Sequence, residues 1–283
     1  MTGAEPTVEV HPSKQSLSDA AAVRFLAAVR EAIGTRGVAQ VALTGGSMGS
    51  AIFASLLQTP GRSAVDWSQV YVWWGDERYL PAGDPERNDT QNDDAGLTQL
   101  GLDGGTVFRV RGPDASESAE ASAAAYATTI REFGRGGFDV VLLGVGPDGH
   151  VASLFPHHPA QRVADEVAVA VHDSPKPPPD RVSLTFECLN RTREVCFLVA
   201  GADKADAVAA ALAPGADRWD VPASGVRGSV ATRWLLDEDA AANLQLLRAR
   251  FGPNSARPPP FSGGGHQPQR PFDLAQKGVG GHP

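Results

Sequence analysis

Cysteine is scarce in this chain, with Cys188 and Cys196 the two thiols in 283 residues. Their spacing matches no CxxC or zinc pattern, and two thiols make no disulfide framework in a chain this long, so both are expected to be reduced and buried. Long apolar runs are missing as well. No window approaches the roughly 18 apolar residues of a spanning helix, and the first ten residues, MTGAEPTVEV, hold neither a basic region nor an apolar one. The expectation is a cytoplasmic protein with no membrane partner. Positive charge is outnumbered: 25 Lys and Arg against 33 Asp and Glu give −8 at pH 7. That sign opposes non-specific attraction to nucleic acid, and leaves room only for a local basic site. Lysine itself occurs four times. What is present is enough apolar material for a core, since 42% hydrophobic and 20% charged residues mark a soluble globular chain.

Glycine and proline are unevenly spread, and residues 252–283 hold seven of each. That segment lacks apolar periodicity and reads as a disordered tail, unable to offset its ordering entropy by burial. The folded domain is therefore placed at 1–251. Within it, short apolar runs alternate with helical patterns. Residues 19–33 read as an amphipathic helix with Ser18 as N-cap and Gly34 as the stop. Further helices are expected near 49–58, 116–133, 203–212 and 238–249. Strands are expected at 38–43, 70–74, 106–110, 138–144, 167–172, 194–200 and 232–237. Continuous Val/Leu runs between helices are what a parallel sheet covered on both faces requires, so the fold class is α/β, doubly wound and mostly parallel. Ligands of such sheets sit outside the carboxyl ends of the strands.

Four loops in those places carry unusual residues. In LTGGSMGSA (43–51), Gly45 and Gly46 allow a tight turn and close backbone approach, and Ser47 stands at the positive end of a helix dipole, which suits a phosphate. The loop matches neither the P-loop nor the GxGxxG spacing, which argues against a nucleoside triphosphate or dinucleotide. In VYVWWGDERYLPAGDPERND (70–89), Asp76, Glu77 and Arg78 follow a strand end directly. In FDVVLLGVGPDGHVASLFP (138–156), three glycines and a proline present Asp148 and His150 at a strand tip, with VASLF behind them helix-like. Histidine, ordinarily titrating near 6.5, can accept a proton from water at neutral pH, so His150 is the candidate general base. His157 and His158 read as surface residues, and the absence of an HxH or HxxxH clamp argues against a metal. Ser153 has no evident triad partner and no GxSxG motif is present, which argues against an acyl-enzyme. The fourth loop is split: Arg181 follows a proline run, and Lys204 stands in the first turn of a helix. A cation there is unfavourable with the macrodipole unless an anion offsets it.

Taken in order, LTGGS, WWGDERYLP, VVLLGVGPDGHVASLFP, DRVSLT, GADKADAV and VPASGV make the chain resemble the 6-phosphogluconolactonase family over about residues 35–230. That family lies within the wider group holding glucosamine-6-phosphate deaminases. The resemblance implies a Rossmann-like α/β domain, hydrolysis of a sugar-phosphate lactone, and no metal or organic cofactor. The expected partner is a small-molecule sugar-phosphate lactone, with no nucleic acid, on a monomer or small homo-oligomer. The resemblance assigns Gly45, Gly46, Ser47, Arg78, Asn88, Arg181 and Lys204 to substrate binding, His150 to the base, and Asp76 and Asp148 to orienting the histidine or substrate hydroxyls. Met48-Gly49 replaces the Thr-Pro often found after GGS, and ERNDTQ replaces a serine-asparagine pair around Asn88. The related deaminases carry a GHIAFNEP-like loop whose glutamate supports ring opening. Here the stretch from His150 to Pro156 has none. A sugar-phosphate sensor would need an attached DNA-binding module, which neither the first 37 residues nor the tail supplies.

Overall fold

The computed structural model describes residues 5–244. Six parallel strands form the main sheet, in the order β1 (Pro6–His11), β9 (Ala231–Asp237), β8 (Glu194–Val199), β5 (Val140–Leu143), β2 (Ala39–Leu43) and β3 (Val70–Trp74). Successive side chains of a strand point to opposite faces, so a fully apolar strand feeds two cores. In β5, Val140 and Leu142 join one core with residues of α1 (Lys14–Arg36) and α2 (Gly46–Gln58), among them Phe25, Val29, Ile52 and Phe53. Val141 and Leu143 join the other, with Tyr126 and Ile130 of α4 (Ala119–Phe133) and Val208 of the short helix Ala205–Ala211. This is the doubly wound arrangement expected. The chain leaves β2 for β3 on one side and later returns to β5 on the other, so the strand order reverses between β2 and β5. The crevice beyond the carboxyl ends of those two strands is where such sheets bind ligands.

A second, antiparallel sheet has no counterpart in the expectations. It consists of β4 (Asp76–Arg78), β7 (Arg181–Leu184) and β6 (Ala168–Val171), and packs over α4. The run expected at 167–172 is thus a strand of this smaller sheet and not of the parallel one. Residues 106–110 form no strand either. Phe108 donates its amide to Val72 and stacks on Trp73 at 4.2 Å, but a single bridge, Val72 to Val107, attaches the segment to β3. The first helix begins earlier and ends later than its pattern suggested, because Ser13 and Ser16 form a capping box and Gly37 takes the left-handed conformation at its end. Ser18 is inside the helix, buried against the Ser55 hydroxyl at 2.9 Å. Of the helix expected at 238–249, residues 238–243 are turns and 245–249 lie outside the described residues; residues 151–154 form a bridged turn instead of a helix, and Asn88 opens a short helix, α3 (Asn88–Asp94). The domain boundary at 251 and the 252–283 tail lie outside the described residues.

Both cysteines are free and buried, and burial pushes the Cys188 thiol up to about 12 and Cys196 upward as well, which keeps them protonated. His157 is exposed, whereas His158 is built into its turn: Nδ1 accepts from the Ala160 amide at 3.1 Å, and Nε2 donates to the His172 carbonyl at 2.8 Å.

At the end of β6, His172 bonds Asp180 and Glu120, each at 2.7 Å, tying the 173–180 loop to the start of α4. These two hydrogen bonds raise the His172 pKa. The folded protein thus holds this proton more tightly than the unfolded chain does. The stabilisation is complete below the unfolded pKa of about 6.5 and is lost as pH rises through the folded value. With the side chain half exposed, it belongs to the ~0–1 kcal/mol range of screened pairs. His172→Gln is expected to lower Tm slightly near pH 5.5 and less near pH 9, by calorimetry at both. A loss confined to the alkaline sample would contradict this.

Candidate active site

A cavity of about 250 Å³ lies at the switch point between β2 and β5. Four chain segments supply its walls: Thr44 to Gly49 after β2, Asp76 and Arg78 after β3, Gly144 to Gly146 with His150 after β5, and Leu198 to Ala200 with Lys204 at and beyond the end of β8. Asn88, Lys176 and Arg181 complete the polar lining. Of the ten residues singled out from the sequence, nine line this cavity and the tenth, Asp148, stands directly behind His150. Lys176 was not among them.

Asp148 Oδ1 lies 2.5 Å from His150 Nδ1 and also accepts the His150 amide at 3.3 Å. Half-burial on its own would raise the Asp148 pKa, but the hydrogen bond and charge of His150 outweigh it and bring the carboxyl down to about 2. An ionised carboxylate can only accept, so Nδ1 carries a proton, and the neutral tautomer this selects is the one with its lone pair on Nε2. The imidazole leans on the Phe155 ring, centroids 4.6 Å apart. Gly146 permits the pair to form, because a Cβ at that position would collide with both the imidazole and the Asp148 carboxylate.

Asp76 does not touch the histidine. Its Oδ2 accepts the Ser153 hydroxyl at 2.6 Å and its Oδ1 accepts from Asn88 Nδ2 at 3.3 Å. Ser153, fully buried, therefore does have a partner, and it ties the histidine loop to β4. Asn88 also accepts from Arg78 Nη1 and packs so close to Gly45 that any side chain at 45 would overlap it. In α2 the Gly46 amide already donates to Gln91 Oε1 at 2.9 Å, so the amides free to meet an anion begin at Ser47.

Pairing of β4 with β7 sets Arg78 directly opposite Arg181. Like charges facing each other across an antiparallel pair are destabilising unless an anion lies between or beside them. Lys176 and Lys204 face the same space, so four cations converge on one cavity in a chain with net negative charge. Among the described residues no three His, Cys, Asp or Glu side chains are grouped to hold a metal ion.

Beneath the site lies a buried network that fixes the Arg78 and Asn88 backbones. Glu77 Oε1 accepts the amides of Arg78 at 2.8 Å and Asn88 at 2.7 Å, and Oε2 accepts that of Asp89 at 3.0 Å. Arg87, 1% exposed, grips Asp89 with two 2.9 Å bonds and donates to the Leu80 and Val110 carbonyls. Burial and the Asp89 charge push Glu77 up to about 8 against the pull of Arg87 and of the amides it accepts.

Fold and site together define an α/β enzyme with a histidine–carboxylate pair at a cavity lined by four cations at the strand ends. Residues 12–234 match the family model described as glucosamine-6-phosphate isomerases/6-phosphogluconolactonase, and the chain belongs to that family. It is 46% identical over 260 residues to a 6-phosphogluconolactonase of Streptomyces coelicolor, covering 89% of this chain and 98% of that one. It is 43% identical to one of Mycobacterium tuberculosis, covering 84% and 98%. The solved 6-phosphogluconolactonase of Trypanosoma brucei superposes with a TM-score of 0.74 at 28% identity, covering 85% of this chain and 99% of that one.

Proposed function

We propose that the chain hydrolyses 6-phospho-D-glucono-1,5-lactone to 6-phosphogluconate, the lactone-opening step of the oxidative pentose phosphate pathway, using a water activated by His150 and no metal. The observation carrying this reading is the His150–Asp148 pair in a cavity that four cations line. The names of the curated relatives support the same substrate. A δ-lactone is already prone to hydrolysis, so the site has to supply position, a base and charge stabilisation. His150 Nε2 removes a proton from water as it attacks C1, Asp148 stabilises the imidazolium that results, and when the intermediate collapses the C1–O5 bond breaks and that proton passes from Nε2 to the departing ring oxygen, which restores the base. The carbonyl oxygen gains charge in the tetrahedral intermediate, and Arg78 stands on the lining to offset it. Lys204, Arg181 and the Ser47 end of α2 hold the 6-phosphate, whose binding energy keeps C1 beside the base.

A deaminase would need a glutamate to support ring opening, and among the described residues lining the cavity none is Glu. Acid release from fresh 6-phosphogluconolactone in a pH-stat, beside ammonia release from glucosamine 6-phosphate, separates the two. Acid without ammonia is the expected result, and ammonia without acid would overturn the reading. Turnover is also expected to survive EDTA. Loss on chelation with recovery on adding a divalent ion would show that the water is activated differently.

A further inference from the structure

The four cations of the cavity differ in what already engages them. Lys204 Nζ lies 2.6 Å from Asp203 Oδ2, and Arg78 Nη1 donates to Asn88. Arg181 donates Nε to the Pro178 carbonyl at 3.3 Å, and Nη2 to the carbonyls of Lys176 at 3.0 Å and Pro177 at 3.2 Å. Lys176 is different. Among the described residues its ammonium has no hydrogen-bond or salt-bridge partner, yet it lines the cavity.

The chain segment that carries Lys176 is tied down at several points. Its carbonyl accepts from both Arg181 Nη2 and, at 2.9 Å, the Ser174 hydroxyl. The Ser174 amide donates to the Pro179 carbonyl at 3.0 Å, closing the loop on itself, and His172 and Asp180 bond across its base. Ordering a long side chain near two other cations is unfavourable without an anion to share. Partial burial lowers the Lys176 pKa, and Lys204 and Arg181 lower it further against the pull of Asp148 and Asp203. A dianionic phosphate in the cavity would reverse that repulsion, and three free N–H donors are available to it.

We propose that Lys176 contacts the phosphate of the bound lactone, and that Arg181 acts on substrate partly as a positioning residue, holding the 174–179 strap from which Lys176 reaches the cavity. This rests on the lactonase reading above. It adds a specificity residue that the sequence motifs did not suggest, and gives Arg181 a second task beyond charge.

The test compares KM for 6-phosphogluconolactone and for unphosphorylated gluconolactone in wild type, Lys176→Ala and Lys176→Arg. Losing a charge-assisted hydrogen bond is expected to raise KM for the phosphorylated lactone about tenfold or more in Lys176→Ala. KM for the unphosphorylated lactone should move far less, and Lys176→Arg should recover most of the loss. The inhibition constant of 6-phosphogluconate should rise in parallel. An unchanged KM in Lys176→Ala, or an equal rise for both lactones, would overturn the proposal while leaving the lactonase reading intact. A wild-type protein with no preference for the phosphorylated lactone would overturn both.

Discussion

His150→Ala is expected to lower kcat on 6-phosphogluconolactone by about 10²–10⁴-fold, the range of a lost general base. Affinity for the product 6-phosphogluconate should survive, because the proposed phosphate contacts lie on other elements, after β2, on β7 and the strap before it, and after β8. Asp148→Asn should share part of the loss. An amide can donate to Nδ1 and so stabilise the tautomer with its proton on Nε2, which leaves no lone pair where water must be deprotonated. The two effects should not add fully, since the residues act as one unit. Calorimetric titration of product onto each variant separates chemistry from binding. Turnover by His150→Ala at the wild-type rate across the pH range would remove His150 from the mechanism.

Arg87→Ala is expected to cost about 3–5 kcal/mol of stability, as removal of one partner from a buried ion pair typically does, with a fall in Tm of roughly 10 °C for a domain of this size. The size of the effect follows from what remains behind. Asp89 loses both of its short bonds, and the Leu80 and Val110 carbonyls lose their donor. Glu77, beside Asp89 and 1% exposed, then holds its three amides next to a carboxylate whose remaining cation is the part-exposed Arg109 at 3.4 Å. Arg87→Lys should recover only part of this, because an ammonium cannot reproduce the fork that grips Asp89. The kinetic consequence is secondary: with the 77–89 frame loosened, Arg78 and Asn88 lose their fixed backbone and KM rises. Thermal denaturation of Arg87→Ala within 2 °C or so of wild type would show that the network is incidental to stability.

The apolar strands were legible because burial on both faces leaves no polar position in them: Val140 to Leu143 and Val195 to Val199 are all buried. Motifs at the ends of such strands then had to converge, since parallel strands deliver all their carboxyl ends to one edge. In the smaller sheet only β6 gave a comparable signal. Its strand β4 is three residues, Asp-Glu-Arg, with no alternation, and β7 is Arg-Val-Ser-Leu behind a proline run, an alternation only four residues long and with no apolar stretch. Only their pairing places Arg78 against Arg181 and brings the Lys176 strap to the cavity. Ser153 and Asp76, 77 positions apart, have the same history: each looked ordinary until the fold joined them. Ser18 misled as a helix cap because a buried hydroxyl paired with another helix looks, in sequence, like a cap.

The account turns on a division of labour, with the base on one loop and the phosphate anchor on others. Its most direct test is one quantity, the ratio of kcat/KM for 6-phosphogluconolactone over unphosphorylated gluconolactone, measured in wild type, His150→Ala and Lys204→Ala. His150→Ala should depress both numbers and leave the ratio near that of wild type, because both lactones need the same base. Lys204→Ala should collapse the ratio, because only one substrate has a phosphate to lose. A ratio that collapsed in His150→Ala and held in Lys204→Ala would contradict the assignment of these two residues.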